Sequence, residues 1–382
     1  MAMVTEELLE GPRGRRLCLE WARACEDAAV EGSPGASGDR PLADALFRLP
    51  DPHFRVGRIV AVPLDEGEGE VGDPVAPVWE ETTARDVASA LGEVHLMEPD
   101  ASRAVALLAD TCAHAAYWQP PYAAEVAAAD AAVRAGLEAA AAAIAAAPAT
   151  RWWSRGVEWG HQWLTSAVPR PEWGSDAVPD AREPDDPAEV LAAWRSAVAR
   201  EEEQFRTWAE ERPEEMIGGP WWSSPPSGLA ASTRALPGGL PLWVVCVEDD
   251  GWGEVVGRAL EVPASARVLE IDGPEDWARL CRDHPLDVSW SRRSDWSQTT
   301  GREGAWVIPD WSEVARRWDG VHLSVRGYLR TAGRAVEVDG DRASVLAGWD
   351  PDRTFWFCRT HTDDELVTWE ECEEEPGWRR RG

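Results

Sequence analysis

A dense group of chemically versatile side chains lies in segment 318–328 of the chain. If this segment forms a strand, alternation places His322 and Ser324 on one face and apolar residues on the other. An imidazole beside a hydroxyl can act as a general base or bind a substrate hydroxyl. Arg326 and Tyr328 follow, and a guanidinium can hold a carboxylate or a phosphate through two hydrogen bonds. We therefore predict a catalytic pair followed by two substrate-binding side chains; the alternative is a structural histidine, half-buried at a sheet edge.

Two aspartates lie in a proline-containing turn within segment 348–357, directly before an aromatic run that is typical of a strand. If that strand lies beside the strand of Val321, Asp350 and Asp352 can face His322. We predict Asp352 as the third catalytic residue. The alternative interpretation is a turn whose aspartates only cap the backbone, which requires no function.

Tryptophan and arginine are numerous enough to line a binding cleft, with 24 and 38 copies in the chain. Indole rings can stack on a planar ligand, and guanidinium groups can fix anionic groups. We predict Trp311, Trp349 and Arg234 as further substrate-binding residues of such a cleft.

Residues 67–72 match the glycine pattern of dinucleotide-binding loops and follow a predicted strand. Glu68 and Glu70 would repel a pyrophosphate, and Pro77 lies where the motif needs a helix. The segment is more typical of an acidic loop.

Two sets of side chains have metal-binding chemistry. Glu158 and His161 are one helical turn apart, while Cys358, His361 and Cys372 are close in sequence. A helical metal site needs a second such pair, and zinc sites have paired short Cys or His spacings. The sequence has neither pattern, so we predict no metal site, and it does not identify a cofactor.

Three short segments resemble, in their order, the NAD-holding elements of the arginine class of ADP-ribosyltransferases. Arg234 follows a Ser-Thr pair, segment 297–300 reads Ser-Gln-Thr-Thr, and Glu371 and Glu373 flank a cysteine. In that family an arginine on an early strand, a Ser/Thr-rich strand and a Glu-x-Glu turn together hold NAD. The resemblance implies NAD as a candidate substrate of a group-transfer reaction.

The basic residues exclude several enzyme classes, since all 38 are arginine and the chain has no lysine. Pyridoxal-phosphate enzymes need a lysine for their Schiff base, and P-loop proteins and protein kinases need one to contact phosphates. The formal net charge of -31 disfavours nucleic acid as a partner, because a phosphate backbone requires a basic surface. The same charge favours a basic protein surface as a partner.

Cysteine use and hydropathy indicate the compartment. Seven cysteines without a regular spacing argue against a secreted disulfide framework. No apolar run approaches the roughly 18 residues that cross a bilayer, and the first residues carry acids rather than a basic secretion signal. We therefore expect a cytoplasmic protein with no membrane partner.

Composition changes near residue 150, since only three of the 24 tryptophans precede it. The patterns predict a mainly helical unit at 1–150 with a small strand at 55–63. A Trp-rich helical connector follows at 151–228, and an α+β unit with the candidate site and an acidic tail occupies 229–382.

Apolar periodicity predicts long helices at 6–30, 101–118 and 121–147, the last ended by Pro148. A helix is also expected at 274–283. The short strands predicted in the C-terminal unit lie at 242–247, 254–262, 267–271, 320–325, 336–338, 344–347 and 354–358. The predicted fold class is therefore α+β, with a mixed or antiparallel sheet and short helices after a largely helical N-terminal part.

These observations predict a cytoplasmic enzyme that transfers a group on a small polar or nucleotide-like substrate in a Trp/Arg-lined cleft. NAD-consuming ADP-ribosyl transfer is the concrete example. The alternative is a non-catalytic acidic interaction protein, such as an immunity or antitoxin-like factor, that binds a basic protein partner.

Overall fold

The computed structural model describes residues 3–32, 38–50, 82–168, 185–248, 253–263, 265–372 and 377–381. Within these residues the fold is α+β, as predicted, with helices first and then two mixed sheets connected by short helices. The strand predicted at 55–63 and the glycine-rich segment 67–72 lie outside the described residues.

The N-terminal part is helical because its apolar residues recur at helical spacing and its helices begin at proline or capping residues. Gly11 separates α1 from α2, which begins at Pro12, so the helix predicted at 6–30 is two helices. Asp130 divides the helix predicted at 121–147 by capping α7 at the N–H of Ala132. The helices of this part are α1 (Thr5–Glu10), α2 (Pro12–Glu31), α3 (Pro41–Phe47), α4 (Ala84–Glu93), α5 (Ala101–Ala113), α6 (Ala123–Ala129) and α7 (Ala131–Ala146), followed by a 3-10 helix (Pro148–Ser154).

The strands that follow form two sheets. They are β1 (Gln162–Val168), β2 (Ala230–Arg234), β3 (Glu254–Glu261), β4 (Val268–Ile271), β5 (Pro285–Asp287), β6 (Ala305–Pro309), β7 (Gly320–Leu323), β8 (Ala335–Asp339), β9 (Arg342–Val345), β10 (Arg353–Trp356), β11 (His361–Thr362), β12 (Val367–Glu371) and β13 (Trp378–Arg380). Within the described ranges the large sheet has the order β13-β12-β3-β1-β2-β10-β7-β4, with β11 beside β3, and the small sheet has the order β5-β6-β9-β8. Both sheets are mixed, since β4 is parallel to β7 and β6 is parallel to β9.

Helices and a 3-10 turn connect these strands. They are α8 (Pro187–Glu211), a 3-10 helix (Leu242–Val244), α9 (Pro274–Asp283), α10 (Arg293–Thr300), α11 (Trp311–Val314) and α12 (Val325–Thr331). Helix α9 has the predicted bounds because Pro274 occupies its first position. The prediction of a strand at 242–247 was wrong, because this segment contains the 3-10 helix Leu242–Val244. A short apolar run does not distinguish a strand from a buried helical turn.

Side chains of the large sheet alternate between two faces, and the pairing register shows which residues share a face. His322 in β7 lies opposite Thr354 in β10, and Val321 lies opposite Phe355. His322 and Thr354 therefore share one face, and Val321 and Phe355 share the other. The largest hydrophobic cluster covers the face of Phe355 and includes side chains of α2, α5, α7, α9 and α12. The three segments predicted from composition thus contribute to one continuous core.

The predicted acidic tail contains two strands of the large sheet. Strand β12 pairs with β3 on one side and with β13 on the other. The carboxylate of Glu370 in β12 pairs with the guanidinium groups of Arg379 and Arg381. Because Arg379 lies directly opposite Glu370, the tail is a sheet edge with paired charges.

Helix length bears on the expected absence of a membrane partner. Among the helices that the structure describes, none alone is long and apolar enough to cross a membrane. Helix α7 and the 3-10 helix Pro148–Ser154 are long and apolar enough only when taken together, and an 86° bend separates them.

Candidate functional site

Strands β7 and β10 bring two of the predicted catalytic residues together. Asp352, in the turn before β10, places its Oδ1 atom 3.3 Å from Nε2 of His322. The other ring nitrogen, Nδ1, lies 2.5 Å from Oε2 of Glu270, which belongs to the neighbouring strand β4. Strands β7 and β10 are paired, which is the condition under which Asp352 was expected to face His322. Glu270 is a partner that the sequence did not indicate.

The two carboxylates hold the His322 imidazole in its protonated form. Burial lowers the pKa of His322, but the hydrogen bonds with Asp352 and Glu270 outweigh burial and raise this pKa to about 9. Burial raises the pKa of Asp352, but the hydrogen bond and charge of His322 bring it below its ordinary value. A general base must be unprotonated near the working pH. The geometry therefore favours a structural imidazolium over the predicted catalytic base.

Arg234 completes a row of four alternating charges. Its Nε atom donates to Oδ1 of Asp352 at 2.7 Å, and Nη2 donates to the carbonyl of Gly156 at 3.1 Å. The ring of Trp152 lies 4.8 Å from the guanidinium carbon. Arg234 is 6% exposed and His322 is 1% exposed, so both side chains are buried away from solvent. In this conformation neither side chain can contact a substrate, and the predicted role of Arg234 is not supported by its position.

The residues after β7 lie on a helix rather than on a strand. Ser324 is the N-cap of α12, where its Oγ atom accepts from the N–H of Gly327 at 2.9 Å and donates to Asp272 at 2.6 Å. Arg326 is 7% exposed, and its guanidinium pairs with Glu7 of α1 and with Asp272. The strand prediction was wrong here because a helix begins at Val325. Ser324 and Arg326 therefore hold neighbouring elements of the fold together and do not line a cleft.

The predicted stacking residues Trp311 and Trp349 lie in the core. Both are 0% exposed, and their ring centroids are 5.7 Å apart in an edge-to-face arrangement. Trp277 and Phe355 extend the aromatic group, with centroid distances to Trp349 of 6.4 and 5.5 Å. Trp311 and Trp349 therefore stabilise the fold through buried aromatic contacts and do not face a ligand site.

The face of the large sheet opposite His322 has a cleft of about 390 Å³, which we call the Trp222 cleft. This volume is in the range of small-molecule sites. The side chains that matter chemically in its lining are Trp221, Trp222, Glu248, Asp350, Arg353 and Phe355. The cleft is lined by Trp and Arg side chains, but these are not the residues that the sequence predicted.

The turn before β10 connects the two faces of the sheet. Asp350 lines the Trp222 cleft, whereas Asp352 points to the other face and contacts His322. Asp352 has a φ of 59°, the one positive value at a non-glycine residue in the described part of the chain. Aspartate tolerates this left-handed conformation better than most residues. The turn therefore places Asp350 on the cleft side of the sheet and Asp352 on the side of His322.

Asp350 is held by three donors. Its Oδ1 atom accepts from the backbone N–H of Glu248 at 2.8 Å. Its Oδ2 atom accepts from Nε1 of Trp243 at 2.8 Å and from the guanidinium of Arg353. Since a carboxylate has about four acceptor sites, one remains on Oδ1.

Glu248 is a buried carboxyl group in the wall of the cleft, with 8% of its surface exposed. The hydroxyl of Tyr117 donates to Oε1. Oε2 is buried away from solvent and makes no hydrogen bond of standard geometry, but the hydroxyl of Tyr328 lies close enough to lower the pKa of Glu248. Burial, and then the negative charge of Asp350, raise the pKa of Glu248 to about 8. The carboxyl group is therefore protonated at neutral pH and able to donate a hydrogen bond or a proton.

Buried groups of the helical layer surround Glu248 on the side away from the cleft. Arg13 of α2 pairs with Glu125 of α6, and its charge lowers the pKa of Glu248 by less than burial raises it. Tyr328 of α12, predicted to bind substrate, is 0% exposed and makes no hydrogen bond of standard geometry. It lies close enough to affect the pKa of Glu248, so its position indicates an indirect influence on the cleft.

Aromatic rings form the rim of the cleft. Trp222 is 45% exposed, and its ring centroid is 5.9 Å from that of Trp221. The guanidinium of Arg353 lies 5.6 Å from the ring centroid of Phe355. Gly348 has a φ of 69°, and a Cβ atom there would lie 2.7 Å from Cβ of Trp222. Glycine therefore allows Trp222 to pack against the turn that carries Asp350.

Sequence reasoning missed Glu248 and Trp222, although both have local signals. Glu248 is an acid directly after the apolar run 242–247. Trp222 belongs to a pair of tryptophans that is followed by serines and prolines, which is unusual for a core helix or strand. Neither signal indicates that the two residues meet.

The segments that resemble ADP-ribosyltransferases lie in different elements. Ser297 is in helix α10, whereas that family has a strand at the Ser/Thr-rich position. Arg234 is in β2 and Glu371 is in β12, with β1 and β3 between these strands; Glu373 lies outside the described residues.

Comparison of the chain with models of protein families, with curated proteins and with solved structures found no match. In the described part of the chain, no group of three or more His, Cys, Asp or Glu side chains could hold a metal ion.

Proposed function

We propose that the chain is an enzyme that transfers a group on a small polar substrate bound in the Trp222 cleft. The observation that carries this proposal is the position of Glu248, a buried carboxyl group in the wall of a cleft that also contains Asp350. Burial raises the pKa of Glu248 to about 8, which favours its protonated form at neutral pH. Two carboxyl groups in contrasting environments are typical of acid–base catalysis. Glu248 is the general acid, and the aromatic rim orients the substrate.

Ligand screening tests this proposal in two stages. The full chain is heated with nucleotides, NAD, sugars and amino acids, and a ligand of the cleft raises the melting temperature because it binds only the folded state. Substrates found in this way are then incubated with wild type and with Glu248→Gln. We expect Glu248→Gln to retain the melting shift and to lose about 100-fold or more of the turnover rate.

A matched control separates catalysis from a general effect of removing a carboxyl group. Asp110 in α5 also has a raised pKa, mainly because of burial, but it does not line the cleft. Asp110→Asn should keep wild-type turnover. Equal turnover by wild type and Glu248→Gln would refute the proposed role of Glu248, and the absence of any ligand or turnover would refute the enzyme proposal.

The alternative function is a non-catalytic interaction protein. The formal net charge of -31 favours it, because an acidic surface attracts a basic partner and accelerates association. The burial of His322 also favours it, since it removes the catalytic centre expected from the sequence. Capture of a basic protein that is released by moderate salt, together with no melting shift for any small molecule, would support this function.

A further inference from the structure

A second cavity, of about 550 Å³, lies beside strand β6, and we call it the Trp290 cavity. Its walls come from helix α10, from the turn before α10 and from the loop between α10 and β6. The cavity shares no lining residue with the Trp222 cleft, and its volume is in the range of small-molecule sites. The lining side chains that can contact a ligand are Met216, Trp290, Arg293, Ser294, Ser297 and Glu303.

Arg293 is a cation of the cavity wall that has no carboxylate partner. Arg195, Arg316 and Arg353 line other cavities, and each of them pairs with a carboxylate. Arg293 is exposed and forms no ion pair with the described residues; its guanidinium carbon lies 5.6 Å from the ring centroid of Trp290. A guanidinium without a counter-ion in a cavity wall is suited to bind an anionic ligand group through two hydrogen bonds.

Glu303 is an unpaired anion of the same cavity. Its side chain is exposed and has neither an ion pair nor a hydrogen bond in the part of the chain that the structure describes. The adjacent Arg302 pairs with Glu337 and donates to the carbonyl of Asp341 at 2.6 Å, so its charge is used elsewhere. Arg293 and Glu303 therefore line one cavity without neutralising each other. A ligand with one negative and one positive group satisfies both, whereas Glu303 repels a polyanion.

Exposed apolar surface adjoins these two charges. Met216 is 65% exposed and Trp290 is 37% exposed, and both line the cavity. Apolar surface in a concave site is typical of ligand binding, so an apolar part of the ligand is expected here. Ser297 of α10 donates to the carbonyl of Ser294 at 3.1 Å. Its oxygen can still accept a hydrogen bond, for which an ammonium group is a suitable donor.

Contacts with α8 and β6 fix the wall that carries Trp290. The carboxylate of Glu202 in α8 accepts from the backbone N–H groups of Trp290 and Ser291 at 3.1 and 2.9 Å. The Oγ atom of Ser289 accepts from the backbone N–H of Trp306 at 2.9 Å. The turn is therefore ordered without a ligand, which lowers the entropic cost of binding.

We infer that the Trp290 cavity binds a free amino acid with a large apolar side chain. The α-carboxylate pairs with Arg293, the α-ammonium group pairs with Glu303, and the side chain packs against Trp290 and Met216. This inference goes beyond the proposed function, because it concerns a different cavity and requires no reaction there.

Calorimetric titration of the full chain with phenylalanine and leucine tests the inference. Three further probes each lack one recognised group. N-acetylphenylalanine has no ammonium group, phenylalanine amide has no carboxylate, and glycine has no apolar side chain. We expect wild type to bind phenylalanine and leucine, and to bind each of the three other probes about tenfold more weakly or worse.

Two variants assign the charges. Arg293→Ala should weaken the binding of phenylalanine about tenfold and should no longer distinguish phenylalanine from its amide. Glu303→Gln should weaken it similarly and should no longer distinguish phenylalanine from N-acetylphenylalanine. Arg200→Ala removes an exposed arginine of α8 that does not line the cavity, and it should bind phenylalanine as wild type does. Trp222→Ala, which changes the other cavity, should also bind as wild type does.

The outcomes separate this inference from its alternatives and from the proposed function. Absence of binding for both phenylalanine and leucine would refute it. Equal affinities in wild type, Arg293→Ala and Glu303→Gln would show that the amino acid binds elsewhere, and loss in Trp222→Ala alone would assign it to the Trp222 cleft. If inorganic phosphate binds more tightly than phenylalanine and is lost in Arg293→Ala, the cavity is an anion site and the amino acid is refuted as its ligand. None of these results changes the test of Glu248.

Discussion

The protonated state of Glu248 predicts how the stability of the protein depends on pH. The pKa of this carboxyl is about 8 in the folded protein and 4.5 in its ordinary state, because burial and the charge of Asp350 disfavour ionisation. Between these values the folded protein keeps a proton that the unfolded chain has lost. The contribution of this proton to stability is fully present below about pH 4.5 and is lost as the pH rises through about 8.

The variant Glu248→Gln isolates this contribution, because an amide stays neutral and its carbonyl can still accept from Tyr117. At about 1.4 kcal/mol for each pH unit, the interval between 4.5 and about 8 corresponds to roughly 5 kcal/mol. Relative to wild type, the variant should therefore gain up to roughly this amount in free energy of unfolding between about pH 5 and pH 9. His322 also titrates in this range, but its effect is common to both proteins and cancels in the difference.

Urea unfolding followed by tryptophan fluorescence gives the two stability curves, since the chain has 24 tryptophans. Infrared spectroscopy provides a direct readout, because the band of a protonated carboxyl should be present in wild type at neutral pH and missing in the variant. Glu203→Gln, an exposed change on α8, is the control and should give a flat difference above pH 5. A flat difference for Glu248→Gln would refute the protonated state.

Three further predictions follow from the same contacts. First, kcat/KM of the proposed reaction should fall as the pH rises through about 8, because Glu248 then loses the proton it must donate, and a pH profile checks this. Second, His322→Ala should lower the free energy of unfolding by about 3–5 kcal/mol in urea, because it leaves the buried charge of Asp352 without one of its partners. Third, Gly348→Ala should cost about 1–2 kcal/mol from its left-handed backbone alone. It should also weaken ligand binding, measured as a smaller melting shift, because the added methyl group displaces Trp222.

The sequence predicted local structure best where one residue determines the outcome. Pro274 gave the start of α9, and Pro148 marked the end of the alanine-rich helix, because proline restricts the backbone in a known way. The pairing of β7 with β10, which brings Asp352 to His322, was considered from the sequence only as a condition. These features depend on short segments and on the alternation of a strand.

Burial and electrostatic environment could not be predicted, because distant segments create them. The carbonyl that accepts a hydrogen bond from Arg234 belongs to Gly156, 78 positions earlier in the chain. The hydroxyl that contacts Glu248 belongs to Tyr117, 131 positions earlier in the chain. A sequence pattern indicates which side chains can do chemistry, but the packing of the helical layer on the sheet decides which of them does so.

The five-residue turn from Gly348 to Asp352 makes the two faces of the sheet interdependent. Because Asp352 is anchored by an imidazolium and a guanidinium, the backbone that presents Asp350 cannot shift without breaking those ion pairs. Loss of His322 should therefore loosen ligand binding on the far side of the sheet, although no atom of its ring reaches that surface. Because Asp352 adopts a left-handed conformation with a φ of 59°, the two acids face opposite sides of the sheet although they are only two positions apart, so the shape of the turn is as much a requirement of the proposed chemistry as the acids themselves.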